Sequence, residues 1–532
     1  MLLGIAYHAA LSFSLGAGWI VQDLSQSKAL YIFQSFVHGF RMQLFMVLSG
    51  FFTALLWRRQ GLKSMLRHRC RRVLLPCLAA LVTLVPAIKW AGSFATKANT
   101  ARRLSASQKN PTGGDLWNAI KTNNIRDLEE HLKNQEVLSI LHPEFHLSVL
   151  SWAALAGTRE SVAALLDKGA DPNWRSARGH TAMHGAAFLG RDEVVELLVC
   201  RGADTHALSN DGQRPFQSAL GGYEPMERFA EFLGIHVQKE QVLEGRRRIL
   251  ERLEHSDAEQ SITRLRSPTK PFKSLLTRLI QTPVFSVVWF LWFLVWLILL
   301  FSIYAIAAER FGWRLRPHPL LVTQLSLLWL VPLTALPTWF MKSVRGEFGP
   351  DTSMGILPMP HVLAYYAVFF GFGVLYFECH DTDGRLGGAW RRTFPVTLLV
   401  VLPVALECAT GTFGLRDRLL SPPFHRLASV AFQALYAWMM SFAWIGMFRS
   451  LLASESHRIR YLSDASYWFY LAHLPLVIAL QALVCQWKLP AEVKFLTVCF
   501  LVGIVLLWSY EKLVRHSLLG CFLNGPRSRH GA

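Results

Sequence analysis

The chain has 532 residues, of which 52% are hydrophobic and only 17% charged, with 18 Trp and 35 Phe. A soluble globular chain averages about 25% charge, so this balance excludes an ordinary soluble protein and points to a polytopic membrane protein with the lipid bilayer as its solvent. The formal net charge of +19 would suggest nucleic acid in a soluble chain. Here Lys and Arg gather in short loops between apolar runs, where they mark a cytoplasmic edge, and no nucleic-acid partner is expected.

A helix needs about 20 apolar residues to cross the hydrocarbon core. About ten such stretches are present, near 1–21, 34–56, 73–92, 284–308, 319–341, 360–378, 394–413, 427–448, 461–483 and 493–511. Lipid offers the backbone no hydrogen-bond partners, and the runs are too long for barrel strands. The predicted fold is all-α, a membrane bundle of about ten spans. His8, in "LLGIAYHAAL", is the first ionisable group in a span. Such groups are costly and therefore functional candidates. An imidazole suits a general base at neutral pH; the other reading is a hydrogen bond to a carbonyl between helices. His38 and Arg41 follow at the head of the second run, three apart and expected on one helix face. A guanidinium there suits a phosphate or carboxylate, or else snorkels to the headgroups.

The loop after the second run holds Arg58, Arg59, Lys63, Arg67, Arg69, Arg71 and Arg72, whereas the loop before it has only Lys28. Positive charge favours the cytoplasm. Arg310, Arg314 and Arg316, then Arg385, Arg391 and Arg392, then Arg458 and Arg460 fall on the same side. With an even number of spans both termini are expected in the cytoplasm, and "EFGPDTSMGILP" and "CQWKLPAEV" face outward. The basic loop is also placed to grip the phosphates of a cytoplasmic donor.

Between about 95 and 280 the apolar runs stop. Residues 95–112 read as a polar linker. Residues 113–223 read as a short ankyrin stack: "GAD" begins at Gly169 and Gly202, a spacing of about 33 residues, and Ala153–Ala154 recur as Ala186–Ala187. Two clear repeats between two ragged ones fit a stack with caps and a protein partner. Residues 224–280 read as a charged linker helix. The insertion separates membrane parts 1–94 and 281–515, and 516–532 is a cytoplasmic tail. The charge rule puts the insertion outside the cytoplasm, although ankyrin stacks are familiar within it.

Late in the chain, His473 follows Tyr467 and Tyr470 and is read as a structural hydrogen bond between helices. "ECHDTDG" (Cys379, His380, Asp381, Asp383) has no downstream Glu to complete a calcium loop. His180 and His184 fall in the T-x-x-H turn of an ankyrin unit. Eight cysteines without a C-x-x-C suggest neither disulfides nor zinc. No metal is expected, and no P-loop, G-x-S-x-G or H-E-x-x-H occurs.

These segments, in this order, resemble the membrane-bound acyltransferase-3 family and, within it, the glucan-modifying branch. The family pattern is an arginine, about ten residues and a first-span histidine; H-x-F-R-M-P-L-F-F-x-x-S-G-F-F; R-x-x-R-L-L-x-P; H-L-W-F-L; and Y-x-x-Y-x-x-H-x-P. Here the matches are His8, "HGFRMQLFMVLSGFF" from His38 to Phe52, "RCRRVLLP" with Arg69, Arg72 and Pro76, and "YWFYLAHLP" from Tyr467 to Pro475. The resemblance implies a ten-helix bundle in the inner membrane. It implies transfer of an acetyl or succinyl group from cytoplasmic acyl-CoA, a substrate and not a cofactor, to a carbohydrate hydroxyl. It makes His8 the expected catalytic base. His38 and Arg41 would orient the donor or the histidine, Arg69 and Arg72 would hold coenzyme phosphates, and Tyr470 and His473 would support the site. Three positions depart from the pattern. The chain begins too late to contain the leading arginine, for which a start codon set too far downstream is the favoured account and true loss the alternative. Val287 stands for the histidine of H-L-W-F-L, and Gln43 for a proline. Two rivals are a transporter or flippase, which lacks the paired Gly/Pro-broken spans of inverted repeats, and a non-catalytic scaffold displaying the ankyrin stack.

Overall fold

A computed structural model gives the architecture. It describes the chain except residues 1, 15–18, 24, 110, 143–146, 177–178, 210–212, 234, 236, 254–278, 281, 283, 286–287, 314–316, 342–346, 453–455, 518–519, 522 and 524–532; for 94–109, 111–115, 224–225, 228, 231–232, 417, 419 and 422–423 it describes the backbone alone. Val287, Arg314 and Arg316 lie outside the described residues, as does most of the tail. The described residues are mostly helical, without a strand among them, and form two units, Met1–Asn99 with Pro271–Ala532, and Thr100–Lys270.

In the first unit, α1 (Leu2–Leu11), α2 (Lys28–His38) and α3 (Arg41–Arg69) run into a π-helical turn, Cys70–Leu74, and α4 (Leu75–Lys109). The expected first span, near 1–21, is helical only to Leu11. Serines supply the reason: Ser12 Oγ donates to the Val21 carbonyl at 2.6 Å and Ser14 Oγ to the Ala10 carbonyl at 2.8 Å, competing with helix propagation. Helix α3 is broken at Gly61, whose φ of 77° and ψ of 165° are non-helical. On a straight helix, residues 49 and 69 would stand about 30 Å apart. Instead Arg69 Nη2 donates to the Ser49 carbonyl at 3.4 Å, so the chain doubles back at Gly61, amid the basic residues.

Among the described residues, seven helices are long and apolar enough to cross a membrane: Lys28–Ser93, Trp289–Phe311, Pro360–Glu378, Trp390–Thr410, Phe424–Leu451, His457–Val484 and Ala491–Val514. The expectation was about ten. The difference lies in Lys28–Ser93, counted once despite the break at Gly61, and in Leu2–Leu11 and Gln324–Thr338, which are apolar but short. The main core joins α3 to Trp289–Phe311 and Pro360–Glu378. A second core packs α1 against His457–Val484 and Ala491–Ser509.

The other unit is a helical repeat stack. The helix pairs Val149–Ala156/Arg159–Asp167 and Ala182–Phe188/Asp192–Cys200 end in turns where Gly169 and Gly202 take φ of +88° and +80°. Those values favour glycine. Ala153, Ala154, Ala186 and Ala187 are fully buried, which lets the helices approach. His184 is structural, as expected: Nδ1 faces the Thr181 amide at 3.1 Å and Nε2 the Gln213 carbonyl at 3.0 Å. Within the region expected to be a linker, the helix Lys239–Leu253 instead closes the stack. Its Val242, Ile249 and Leu250 join the core. Arg246 is fully buried and donates to the Phe188 carbonyl through Nε at 3.0 Å and to the Gly221 carbonyl through Nη1 at 2.6 Å.

Candidate active site

Helix α1 ends one turn after His8, so its last carbonyls lack intrahelical partners. Gln481, fully buried on His457–Val484, supplies them. Its Nε2 donates to the carbonyls of His8 at 2.9 Å and Ala9 at 3.1 Å. Its Oε1 accepts from Trp19 Nε1 at 2.9 Å. The His8 ring therefore sits beside the same helix, with its centroid 5.2 Å from that of His473 and 5.7 Å from that of Trp19.

His473 departs from its expected role. Its Nδ1 contacts the carbonyls of Phe469 and Tyr470, both at 2.8 Å, within its own helix and not between helices. Carbonyls only accept, so Nδ1 carries a proton. The neutral ring then keeps a lone pair on Nε2, which is buried without a partner.

His38 and Arg41 do not share one helix face, as their spacing suggested. His38 ends α2 and Arg41 begins α3, with Gly39 and Phe40 between. They meet on Tyr7 instead. The His38 ring stacks on Tyr7 with centroids 5.3 Å apart, and the Arg41 guanidinium lies 4.6 Å from the Tyr7 ring centre. Gly4 leaves room for it: a Cβ there would come within 3.3 Å of Nη1. Tyr366, Tyr470, His8 and His473 are also electrostatic neighbours of Arg41. Among the described residues no carboxylate forms an ion pair with it. Sequence reasoning missed Tyr7, Tyr366, Trp19 and Gln481. The only signal for Tyr7 was its place beside His8.

Six buried polar atoms of this cluster have no hydrogen-bond partner among the described residues: His8 Nδ1, His38 Nδ1, Arg41 Nη1, Tyr366 Oη, Tyr470 Oη and His473 Nε2. Buried polar groups are nearly always paired, so such a concentration marks a place for a polar ligand. The predicted His8, His38, Arg41, Tyr470 and His473 are all brought together here. The motif residues beside Val287 also reach it, with Trp289 packing on Tyr366 and Phe290 on Tyr470.

Arg69 and Arg72 stand apart, at the π-helical turn. Arg69 bonds to the Ser49 carbonyl and its Nε is buried without a partner. The Arg72 carbonyl accepts from Tyr467 Oη at 2.8 Å. Gln43, in the place of the family proline, is fully buried and donates to the Gly39 carbonyl at 3.0 Å and Tyr365 Oη at 2.9 Å, tying α3 to Pro360–Glu378. The "ECHDTDG" segment is a turn: Asp381 accepts from the Arg385 amide at 2.9 Å and the Leu386 amide at 3.2 Å.

A family model described as an acyltransferase domain matches residues 1–101 and 259–511. The chain belongs to the acyltransferase-3 family. The matched residues leave out 102–258, where a model described as ankyrin repeats, in three copies, matches 116–209. Three relatives, each "Glucans biosynthesis protein C", come from Escherichia coli, Salmonella paratyphi B and Salmonella heidelberg. Each is 42% identical over 84 residues, which is 16% of this chain and 22% of the relative. The chain thus aligns with about a fifth of the length of these relatives. The acyltransferase-3 chain thus combines apolar helices fit to cross a membrane with an ankyrin stack set into its sequence.

Proposed function

We propose that this membrane acyltransferase moves an acetyl or succinyl group from acyl-CoA to a carbohydrate hydroxyl, with His8 as the base. The hydroxyl oxygen attacks the thioester carbonyl while the imidazole takes its proton. The C–S bond then breaks, an ester forms, and the coenzyme leaves as a thiol after taking that proton. Arg41 would bear on the negative charge that develops on the carbonyl oxygen. One such buried donor contributes a factor of about 100 to 1000 in rate, and holding both substrates in place contributes several kcal/mol more, up to roughly 7–11. His38 orients the Tyr7–Arg41 group, and Tyr470 and His473 line the site. Arg69 and Arg72 would hold the coenzyme phosphates. The reaction so written uses no metal and no cofactor.

One observation carries this reading: a buried guanidinium among phenols, with no ion pair to a carboxylate among the described residues, beside an imidazole pair in which His8 Nδ1 and His473 Nε2 have no partner among those residues. Arg246, buried for structure, spends its donors on carbonyls, whereas Arg41 Nη1 is buried without a partner among the described residues. The names of the relatives support a glucan-type acceptor. The loop charges support a cell inner membrane with both termini in the cytoplasm, so that the basic turn at Gly61 faces the donor. The ankyrin stack is assigned to a protein partner.

The test is transfer from labelled acetyl-CoA and succinyl-CoA to a glucose oligosaccharide by the purified full chain in liposomes. Acylated sugar that disappears in His8→Ala is expected. Uptake of label or sugar without acylated product would overturn the reading in favour of transport, and no turnover by either form in favour of a scaffold.

A further inference from the structure

We infer that Gln481 is a positioning residue for His8, acting through the backbone of α1 and held in turn by Trp19. The inference rests on His8 being the base.

Three observations support it. Helix α1 stops one turn past His8, at the point where a helix exposes bare carbonyls. The partners of Gln481 fix its orientation, because the carbonyls of His8 and Ala9 can only accept and the Trp19 indole can only donate. The amide has no alternative arrangement in that position: both of its hydrogens and its oxygen are used, at 2.9, 3.1 and 2.9 Å. A fully satisfied buried amide holds a single geometry.

The strap that carries Trp19 is itself fastened. The Asp23 amide donates to the Ser12 carbonyl at 3.0 Å and the Ser27 amide to the Phe13 carbonyl at 2.8 Å. The Asp23 carboxylate is paired with Lys494 at 2.8 Å, both side chains being almost wholly buried. The end of α1 is thus gripped from two sides, by Gln481 from one helix and by a strap pinned to the next. The His8 imidazole has no side-chain hydrogen bond through Nδ1, so its position is inherited from the backbone beneath it. A displacement near 1 Å at a reacting group costs roughly 100-fold in rate.

The test uses the full chain in liposomes with tritiated acetyl-CoA and a glucose oligosaccharide. Gln481→Met keeps length and volume but removes every hydrogen bond. Gln481→Asn keeps the amide but withdraws it by one carbon. Both are expected to lower kcat by about 100-fold while the KM for acetyl-CoA stays within about twofold. Trp19→Phe, which keeps a ring and removes the indole N–H, is expected to lower kcat by about tenfold, and it serves should Gln481→Met fail to fold. The second readout is the rate at which diethyl pyrocarbonate modifies His8, followed by mass spectrometry. It is expected to change severalfold in the Gln481 variants and to stay constant at His425. A folded Gln481→Met with kcat within about twofold of wild type, or unaltered His8 modification, would overturn the inference. Activity surviving in His8→Ala would instead bring down the functional reading. The modification rate still decides the positioning role if the protein transfers nothing.

Discussion

Arg41 is an arginine set among phenols and imidazoles. A guanidinium is planar and weakly hydrated, and it spreads its charge over a fork of donors, whereas an ammonium is a compact, strongly hydrated point charge. The contact with Tyr7, 4.6 Å from the ring centre, uses that flat face. Arg41→Lys keeps the charge and loses the fork, so transfer is expected to fall on the order of 100-fold with helical content unchanged by circular dichroism. His38 is constrained from the other side. Gly349 sits against its ring with φ of +105°, and a Cβ there would lie 2.1 Å from His38 Cδ2. Gly349→Ala is expected to displace the imidazole, slow transfer and cost about 1–3 kcal/mol in backbone strain, read as a lower melting temperature in detergent. At this scale the ionisable members of the site were legible, because a His or Arg in an apolar run calls for a reason. Tyr7 was not, since a tyrosine in such a run reads as an ordinary membrane aromatic. Nor was Gln481, whose single amide in "IALQALV" shows its importance only when the carbonyls of α1 are seen above it.

Helices in lipid gain nothing from burying apolar surface against one another, so close packing of backbones must hold them. Arg41–Arg69 and Pro360–Glu378 show how. A Cβ on Gly50 would lie 2.0 Å from the Phe370 carbonyl oxygen, and one on Gly373 would lie 1.9 Å from that of Val47. The contact is reciprocal, main chain on main chain, so neither glycine can be enlarged without separating the helices. Gly373→Ala is expected to destabilise the bundle by about 1–3 kcal/mol and to lower activity, because Arg41 and Tyr366 stand on the two helices being parted. Thermal unfolding in detergent measures the first effect; a melting temperature equal to wild type would show that the helices can shift freely. Helix existence was legible from apolar length, but helix ends were not. The run at 1–21 looks long enough to span, yet serine hydroxyls end its helix early. The spacing of His38 and Arg41 suggests one face until Gly39 and Phe40 interrupt it. Both outcomes depend on local hydrogen bonding that a hydropathy pattern does not contain.

As a whole, the chain sets a helical repeat unit within the sequence of an apolar helical bundle, and each unit has its own core. The repeat spacing exposed the stack at once, because a period of about 33 residues survives any substitution between its marks. Its closing helix stayed hidden. Charge dominates "KEQVLEGRRRILERL", and only Val242, Ile249, Leu250 and the buried Arg246 reveal that one face is covered. Residues 113–253 expressed alone are therefore expected to fold and melt cooperatively, whereas a piece ending at 223 should lose that cooperativity. Acid adds a finer test. A hydrogen bond from Arg247 holds the Glu244 carboxyl down to about 2, against 4.5 for a free side chain. A depressed carboxyl contributes stability that is complete above about pH 4.5 and is lost as pH falls toward 2. Glu244 is exposed, so the effect is modest and screened by salt. The melting temperature of residues 113–253 should drop between pH 4.5 and 2 at low ionic strength. Glu244→Gln should flatten part of that drop, and high salt should do the same. An identical pH profile for the two proteins at low salt would show that the Glu244–Arg247 pair adds nothing to the closing helix.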